Sequence, residues 1–202
     1  MPLIRVNDLV LYRGERALCQ ALSFELLAGE VKLIKGRNGS GKSTLLRRLC
    51  GLSDAANHQG TVQAPAASEC LYWAHDLGLK AAFTAVENLH VLLLPKTLPP
   101  TQTQAALHKA GLQERMHLPV QYLSAGQKRR ILLARLALSR HKLWLLDEVS
   151  TALDDHASEW FNELLRDHLS SGGAALMVTH ERHFDALGES VYVQPPPTWD
   201  TP

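Results

Sequence analysis

Short apolar runs alternate with longer mixed segments along most of the chain, and this alternation predicts the secondary structure. The short runs predict strands at residues 31–34, 69–74, 143–146 and 174–178. The longer segments, several of them rich in leucine, predict helices at residues 43–50, 86–94, 102–110, 125–138 and 154–169. Strands that alternate with helices are typical of a mainly parallel sheet in an α/β layered domain, and we expect that fold class here.

The two ends of the chain depart from this alternation. Residues 3–12 and 21–27 predict two strands joined by a polar turn, which would form a small N-terminal antiparallel part. Other short elements are expected as strands at 61–63 and 191–193, a connector at 118–123 and a helix at 183–187. The helices at 86–94 and 102–110 are expected to be separated by Pro95, Pro99 and Pro100. Residues 194–202, which contain three consecutive prolines, predict a flexible or extended tail.

A glycine-rich loop stands between one predicted strand and the helix that follows it. Residues 36–43 read G-R-N-G-S-G-K-S and match the phosphate-binding pattern G-x-x-x-x-G-K-[ST] at every fixed position. Glycines let the backbone turn tightly, and inward N–H groups together with a helix start attract an anion. We therefore expect this chain to bind ATP or another nucleoside triphosphate, with Lys42 at the outer phosphates and the Ser43 hydroxyl on Mg²⁺. The alternative is a glycine-rich turn that binds nothing, which the strand–loop–helix context argues against.

The expected phosphate-binding residues are Gly36, Arg37, Asn38, Gly39, Ser40, Gly41, Lys42, Ser43 and Thr44.

The composition of the chain limits the classes of protein that could carry such a site. A length of 202 residues with 46% hydrophobic residues predicts one domain with a sizeable core, and a net charge of +1 gives no electrostatic footprint for nucleic acid. Three cysteines without a C-x-x-C spacing predict reduced thiols rather than a zinc, dithiol or haem-attachment site. No apolar run approaches the length of about eighteen residues that a membrane span needs, and the first residues lack a signal-peptide layout. We expect any work at a membrane to go through a partner.

Four further motifs follow the phosphate loop in a fixed order. They are L-S-A-G-Q at 123–127, L-W-L-L-D-E at 143–148, A-L-D at 152–154, and a histidine after the next apolar strand, His180. In this order they resemble the signature, Walker B, D-loop and switch histidine of ATP-binding cassette (ABC) ATPases, over about residues 9 to 183. The resemblance implies the P-loop NTPase fold of that family. It also implies a single domain over 1–202, with a helical signature subdomain inserted at about 77–138.

The resemblance assigns catalytic roles to residues at two strand ends. Asp147 would hold Mg²⁺ together with Ser43. Glu148, one residue further, is expected to leave the strand on the other face, toward the γ-phosphate and an attacking water, as general base. His180 would contact the γ-phosphate and hold Glu148 and the water in line. The alternative for Glu148 is a solvated charge at a strand end.

Other assignments concern a second copy and the base of the nucleotide. In the family, the signature residues Ser124, Ala125, Gly126 and Gln127 bind the γ-phosphate held by the opposite subunit, so that two ATP molecules lie between two copies. Asp154 would lie at the same interface, and Tyr12 would stack on adenine. Tyr12 facing the core is the alternative.

Three nearby groups have simpler interpretations. The basic run 128–130 is read as a solvated helix face rather than a nucleic-acid patch. His180 and His183 lie three residues apart, unlike the four of the H-E-x-x-H zinc pattern, so His183 is read as an ordinary histidine. Trp73 and Trp144 are read as core residues.

Local sequences resemble one branch of the family, the ATP-binding subunit of the bacterial cytochrome c biogenesis haem exporter. They are L-S-A-G-Q-K-R-R at 123–130 and A-H-D-L-G-L-K at 74–80, which is close to that family's G-H-Q-P-G-L-K. The resemblance implies a peripheral subunit on integral-membrane partners at the cytoplasmic face of the bacterial inner membrane, with docking through about residues 74–96. It would drive haem export or release of a haem-loaded chaperone, with no haem ligand in this chain.

Two positions depart from the family. Asp76 stands where the family has a glutamine that contacts Mg²⁺, so Asp76 is a further candidate metal ligand. Val149 replaces the usual proline after the Walker B glutamate.

Several other functions stay open at this point. The runner-up is an ABC exporter of a drug, lipid or lipoprotein, followed by a module that dimerises with ATP but barely hydrolyses it. A DNA-repair ATPase would need a long coiled coil where only about eighty residues separate the loop from the signature, and a translation factor would need two such domains. The sequence does not name the transported substrate, the membrane partners, or whether the working pair is two copies of this chain.

Overall fold

A computed structural model of the chain shows how these segments are arranged. It describes residues 1–52, 58–74, 76–93, 98–149 and 153–196, without the side chains of 182 and 183. Nine strands are present in this part of the chain: β1 Ile4–Arg13, β2 Arg16–Ala17, β3 Leu22–Leu26, β4 Val31–Lys35, β5 His58–Gln63, β6 Cys70–Trp73, β7 Leu143–Asp147, β8 Ala174–Val178 and β9 Glu189–Tyr192. The α-helices in the same residues are α1 Lys42–Leu49, α2 Ala85–Leu92, α3 Pro100–Lys109, α4 Ala125–Leu138 and α5 Asp155–Ser170. Short 3₁₀ turns lie at Ala67–Glu69, Val120–Tyr122 and Arg182–Ala186.

The larger sheet is parallel, as the sequence predicts. Its strand order is β6-β7-β8-β4-β9, and every neighbouring pair runs in the same direction. The central strand β8 and its neighbour β7 are buried at every residue, which explains why they appear in the sequence as almost wholly apolar runs. The carboxyl ends of β4, β7 and β8 therefore meet at one edge of the sheet.

A smaller antiparallel sheet lies at the N-terminal end of the chain and confirms the predicted antiparallel part. Strand β1 pairs with β2, β3 and β5. The register of β1 against both β3 and β5 shifts near Asp8, whose φ is 48°. Gly60 on β5 accommodates this bulge, since a Cβ at Gly60 would lie 2.3 Å from the Asp8 carbonyl oxygen.

Helix α1 packs on one face of the parallel sheet. Leu45, Leu46 and Leu49 of the helix belong to the same buried cluster as Leu143 and Leu145 of β7. Side chains alternate along a strand, so residue 147 lies on the same face of β7 as residues 143 and 145. The carboxylate that ends β7 is therefore on the face that α1 covers.

Contacts within the described chain separate it into two compact units. The first contains residues 1–73, 141–148 and 168 onward, and the second contains residues 74–140 and 149–167. In the second unit, α2, α3 and α4 pack on one another. The sequence predicted an inserted helical segment at about 77–138 within a single domain, and the domain count stays a prediction.

Asn88 organises a loop of the second unit through four hydrogen bonds. Its Nδ2 donates to the carbonyl oxygens of Lys80 at 3.0 Å, Phe83 at 3.2 Å and Thr84 at 3.0 Å, and its Oδ1 accepts from the Lys80 N–H at 2.7 Å. The Thr84 side chain also caps α2 in a capping box with Glu87. The loop at 80–84 is thus held firmly against the start of α2.

Several details of the structure bear on the expectations from the sequence. Pro100 does not break a helix but begins α3, because a proline at the first helical position loses no hydrogen bond. Trp73 and Trp144 are buried, as predicted, and Trp144 stacks on His168 with ring centroids 3.9 Å apart. The predicted tail begins with two anchored residues, since Gln20 donates to the carbonyl oxygens of Gln194 at 2.8 Å and Pro195 at 3.0 Å. Residues 197–202 of that tail lie outside the described residues.

Among the described residues, none of the helices combines the length and the apolar character that crossing a membrane requires.

Candidate nucleotide site

The glycine-rich loop connects the end of β4 to the start of α1. Gly36, Gly39 and Gly41 have φ values of 153°, 81° and 96°, in the region that favours glycine. A Cβ at Gly36 would lie 2.3 Å from the Val193 carbonyl oxygen and 2.8 Å from Ser40 Oγ. Position 36 therefore has no room for a side chain. Ser40 Oγ is buried and has no hydrogen-bond partner within the described part of the chain. The loop thus has the close backbone approach and the polar lining that a phosphate requires.

Lys42 reaches back into the loop that precedes it. The residue is only 7% exposed, and its Nζ donates to the carbonyl oxygens of Gly36 at 2.9 Å and Arg37 at 3.0 Å. Burial lowers the pKa of Lys42, whereas the negative charges of Glu148 and Asp147 oppose that shift. The Lys42 ammonium group therefore lies inside the loop, near enough to Asp147 and Glu148 for an electrostatic attraction between them.

The β1–β2 hairpin contacts this loop and carries Tyr12. Its Leu18 N–H donates to the Leu11 carbonyl oxygen at 2.7 Å, and a Cβ on Gly41 would lie 3.2 Å from the Leu18 side chain. Leu9 and Leu11 point into the core, so Tyr12 lies on the opposite face of β1 and is half-buried. This orientation argues against a core-facing Tyr12, and its stacking on adenine stays a prediction.

Asp147 and Glu148 end β7 in two different conformations. Asp147 is 3% exposed, on the face that α1 covers. Strand alternation predicts that the Glu148 side chain leaves β7 on the other face, but its φ is 55° and the backbone turns at this residue. A glutamate in this left-handed region costs of order 1–3 kcal/mol, a strain that is concentrated at functional sites. The direction of Glu148 is therefore set by a strained turn and not by strand alternation.

His180 follows β8 closely and is linked to Glu148 through the backbone. The Glu148 N–H donates to the Val178 carbonyl oxygen at 3.1 Å, two residues before His180. The His180 side chain is exposed, whereas Thr179 beside it is buried. The first unit thus gathers Lys42, Asp147, Glu148 and His180 at one edge of the parallel sheet. Their catalytic roles stay predictions.

Oxygen donors for a divalent cation are present at the same edge. Ser43 follows Lys42 in the first turn of α1, on the sheet face that carries Asp147. No group of three or more His, Cys, Asp or Glu side chains with metal-binding geometry occurs in the described ranges. Mg²⁺ does not need one, because it is usually held by one or two protein oxygens together with substrate phosphates. A hydroxyl and a carboxylate therefore fit Mg²⁺ bound with a nucleotide.

The signature residues begin α4 in the second unit. Ser124 Oγ accepts from the Gln127 N–H at 3.2 Å, and Gln127 Oε1 accepts from the Ser124 N–H at 3.0 Å, which forms a capping box. The S-x-x-Q pattern at 124–127 is the sequence signal of this cap. The first-turn N–H groups of Ala125 and Gly126 have no acceptor within the helix, and Ser124 keeps its hydroxyl hydrogen to donate. The binding of an opposite subunit's ATP here stays a prediction.

Asp154 has an intramolecular partner that sequence reasoning missed. Its Oδ1 accepts from the Ala157 N–H at 3.0 Å and its Oδ2 pairs with Arg130. The Ala157 N–H, with a smaller contribution from Arg130, lowers the pKa of Asp154. The run 128–130 is half-buried throughout, so only part of this helix face is exposed to solvent. No sequence signal links two residues 24 positions apart.

Asp76 is exposed and makes a local turn, in which its Oδ1 accepts from the Gly78 N–H at 3.3 Å. It belongs to the second unit, and its role as a metal ligand stays a prediction. Residues 150–152 of the D-loop and residue 75 lie outside the described residues, as does the side chain of His183.

Comparisons with known proteins show which family the chain belongs to. Residues 19–151 match the ABC transporter family. The cytochrome c biogenesis ATP-binding export protein CcmA of Pseudomonas aeruginosa is 40% identical over 193 residues, which cover 89% of this chain and 93% of that protein. Its counterpart in Escherichia coli O157:H7 is 40% identical over 191 residues, which cover 90% of both chains.

Solved structures show the same fold. An ATP-binding cassette solved as a dimer in a post-hydrolysis state, bound to ADP and Pi, has a TM-score of 0.81 at 21% identity and covers 95% of this chain and 96% of that one. An ATP-binding subunit of an ABC transporter has a TM-score of 0.82 at 19% identity and covers 96% of this chain and 88% of that one. The chain therefore belongs to the ABC transporter ATP-binding proteins, and within them to the family of cytochrome c biogenesis ATP-binding export proteins.

Proposed function

We propose that this chain hydrolyses ATP to drive the export of haem, or the release of a haem-loaded chaperone, in cytochrome c biogenesis. ATP hydrolysis in an ABC transporter follows from the family, and its named relatives act in cytochrome c biogenesis. One observation carries the ATPase part. The Lys42 Nζ is hydrogen-bonded inside the phosphate loop and is attracted by the carboxylates of Asp147 and Glu148. The proposed role in haem export rests on the similarity to cytochrome c biogenesis ATP-binding export proteins.

Each residue of the first unit has a proposed part in the reaction. The loop N–H groups and Lys42 bind the phosphates, and Tyr12 stacks on the adenine. Ser43 and Asp147 would hold Mg²⁺, which when bound neutralises charge on the phosphate oxygens. Glu148 accepts a proton from the attacking water. His180, tied to the Glu148 backbone through β8, orients that water and the γ-phosphate.

The second unit is proposed to act on the nucleotide of another copy. The start of α4 presents Ser124 and Gly126, which are exposed and half-exposed. A helix start that is both exposed and rich in N–H groups is suited to an anion from outside. A cassette with this fold has been solved as a dimer, and we extend that arrangement to two copies of this chain with Asp154 at their interface.

A membrane partner is proposed to dock on apolar side chains of the same unit. Phe83 and Val91, in the docking segment 74–96, are exposed, as are Leu118 and Tyr122, of which Tyr122 is 69% exposed. The Val120 N–H donates to the Phe83 carbonyl oxygen at 2.8 Å, which holds the two segments side by side. Exposed apolar side chains that are grouped on rigid backbone are typical of protein interfaces. The subunit would be peripheral, at the cytoplasmic face of the bacterial inner membrane.

Deletion of the gene for this chain tests the proposed substrate. We expect the bacterium to lose covalent haem in its periplasmic c-type cytochromes, as measured by haem staining of separated proteins. The wild-type gene should restore the staining, whereas the Glu148→Gln variant at equal protein level should not. Normal c-type cytochromes in the deletion strain would contradict the proposal and favour an exporter of another substrate.

Asp76→Gln is expected to preserve or raise the Mg²⁺-dependent ATPase activity. Glutamine has the longer, neutral side chain that the family places here, and Asp76 Oδ1 accepts a weak local hydrogen bond from the Gly78 N–H at 3.3 Å. Steady-state ATPase rates over a Mg²⁺ titration measure the effect, with Asp76→Ala as the matched variant that lacks a side-chain oxygen ligand. A collapse of activity in Asp76→Gln alone would mean that the carboxylate itself is required.

A further inference from the structure

Buried polar side chains in the first unit are concentrated at the proposed site. Among its described residues they are Ser40, Lys42, Asp147 and Thr179. Burying a polar side chain is unfavourable unless it forms hydrogen bonds or an ion pair, so the burial of each of these residues needs a structural or functional explanation. The first three belong to the phosphate and metal positions, whereas Thr179, which is 2% exposed, has no part in the proposed function.

Thr179 closes a three-residue turn around the switch histidine. Its Oγ1 accepts a hydrogen bond from the Glu181 N–H at 3.1 Å, and His180 lies between the two residues. A threonine that bonds the backbone two residues further on is a known turn-forming arrangement. Its β-branched side chain has few χ1 rotamers, so the hydroxyl is held in place. The turn leaves the His180 side chain exposed while the backbone on either side is fixed.

Backbone hydrogen bonds also hold the chain just before and just after the turn at residues 179–181. The Glu181 carbonyl oxygen accepts from the Phe184 N–H at 3.4 Å, and Phe184 is buried. On the other side, the Val178 carbonyl oxygen accepts from the Glu148 N–H. The Thr179 hydroxyl adds a side-chain hydrogen bond between these two contacts, directly beside His180.

We propose that Thr179 is a positioning residue that holds the His180 imidazole in its working orientation. The inference deepens the proposed function, because it depends on the part of His180 in ATP hydrolysis. Without the Thr179 hydroxyl, its hydrogen bond to the Glu181 N–H is lost and the backbone at His180 can rotate. The nucleotide still binds, because the phosphate loop and Lys42 are untouched.

Thr179→Val tests the role of the hydroxyl, since valine has nearly the same shape and cannot accept a hydrogen bond. We expect kcat to fall about 10- to 100-fold, the scale of a small misplacement of a reacting group, with little change in KM for ATP. Thr179→Ser keeps the hydroxyl and should restore most of the activity. Thermal unfolding checks that the variants fold, and Thr179→Ala is the second hydroxyl-free variant if valine impairs folding. Full activity without the hydroxyl, or no rescue by serine, overturns the proposal.

A double-mutant cycle separates positioning from general stability. Thr179→Val should cause no further loss of kcat when it is added to His180→Ala, because the group it positions is gone. Additive losses would mean that Thr179 acts independently of His180, and would overturn the inference alone. Full activity of the His180→Ala variant would instead overturn the proposed role of His180, and this inference with it.

Discussion

Replacing Glu148 with glutamine is expected to stop ATP turnover while leaving ATP binding intact. Glutamine has nearly the same size and shape as glutamate, but its amide cannot take a proton from the attacking water. General-base groups typically contribute about 10²–10⁴-fold to the rate, and we expect kcat to fall by that factor. ATP affinity should stay close to the wild-type value, because Lys42 and the phosphate loop remain.

The backbone at this position makes the substitution a chemical test rather than a structural one. The backbone at Glu148 is left-handed, and its N–H donates to the Val178 carbonyl oxygen at 3.1 Å. This hydrogen bond does not involve the carboxylate, so the substitution leaves it in place. A loss of activity therefore reports on the lost carboxylate.

Two measurements follow the Glu148→Gln variant. Phosphate release under saturating Mg²⁺-ATP gives kcat, and size-exclusion chromatography with and without ATP shows whether a stable dimer accumulates, as expected when the bound ATP is not hydrolysed. Glu69→Gln is the matched control, because Glu69 forms an exposed ion pair with Lys142 that contributes little to stability. Normal hydrolysis by the Glu148→Gln variant would remove Glu148 from its proposed role.

The parts of this molecule that the sequence predicts well are those encoded by neighbouring residues. The parallel sheet follows from buried runs such as Leu143–Asp147, in which every residue is apolar except the last. The phosphate loop follows from glycines at fixed spacing, and α4 begins and ends where its apolar pattern and its cap indicate. Each of these signals lies within a few residues, so no knowledge of tertiary contacts is needed.

The parts that the sequence does not predict depend on residues far apart in the chain. The pair Arg130–Asp154 spans 24 positions, and strand β5 begins at His58, three residues before the predicted strand at 61–63, where it pairs with the distant strand β1. The turn at Glu148 depends on a hydrogen bond to a neighbouring strand. Its positive φ has no local cause such as a glycine. Long-range hydrogen bonds therefore decide the fine geometry of the site, while local patterns decide its location.

Replacing Lys42 with alanine is expected to weaken ATP binding about 10- to 150-fold. A hydrogen bond to a charged group contributes about 1.5–3 kcal/mol, and about 1.4 kcal/mol corresponds to a tenfold change in affinity. The lysine is already held in the loop by the carbonyl oxygens of Gly36 and Arg37, so its ammonium group needs little rearrangement to contact a phosphate. Binding of Mg²⁺-ATP, measured by calorimetry, gives the affinity of each variant.

Two further variants separate the charge of Lys42 from its bulk. Lys42→Met keeps the length of the hydrocarbon stem in the buried loop, and we expect it to lose as much affinity as alanine, because the ammonium group is what the phosphates attract. Lys142→Ala removes an exposed lysine of the same unit and should bind ATP normally. If Lys42→Met binds ATP as tightly as the wild type, the ammonium group does not contact the phosphates. The loop would then bind the nucleotide through its backbone N–H groups alone.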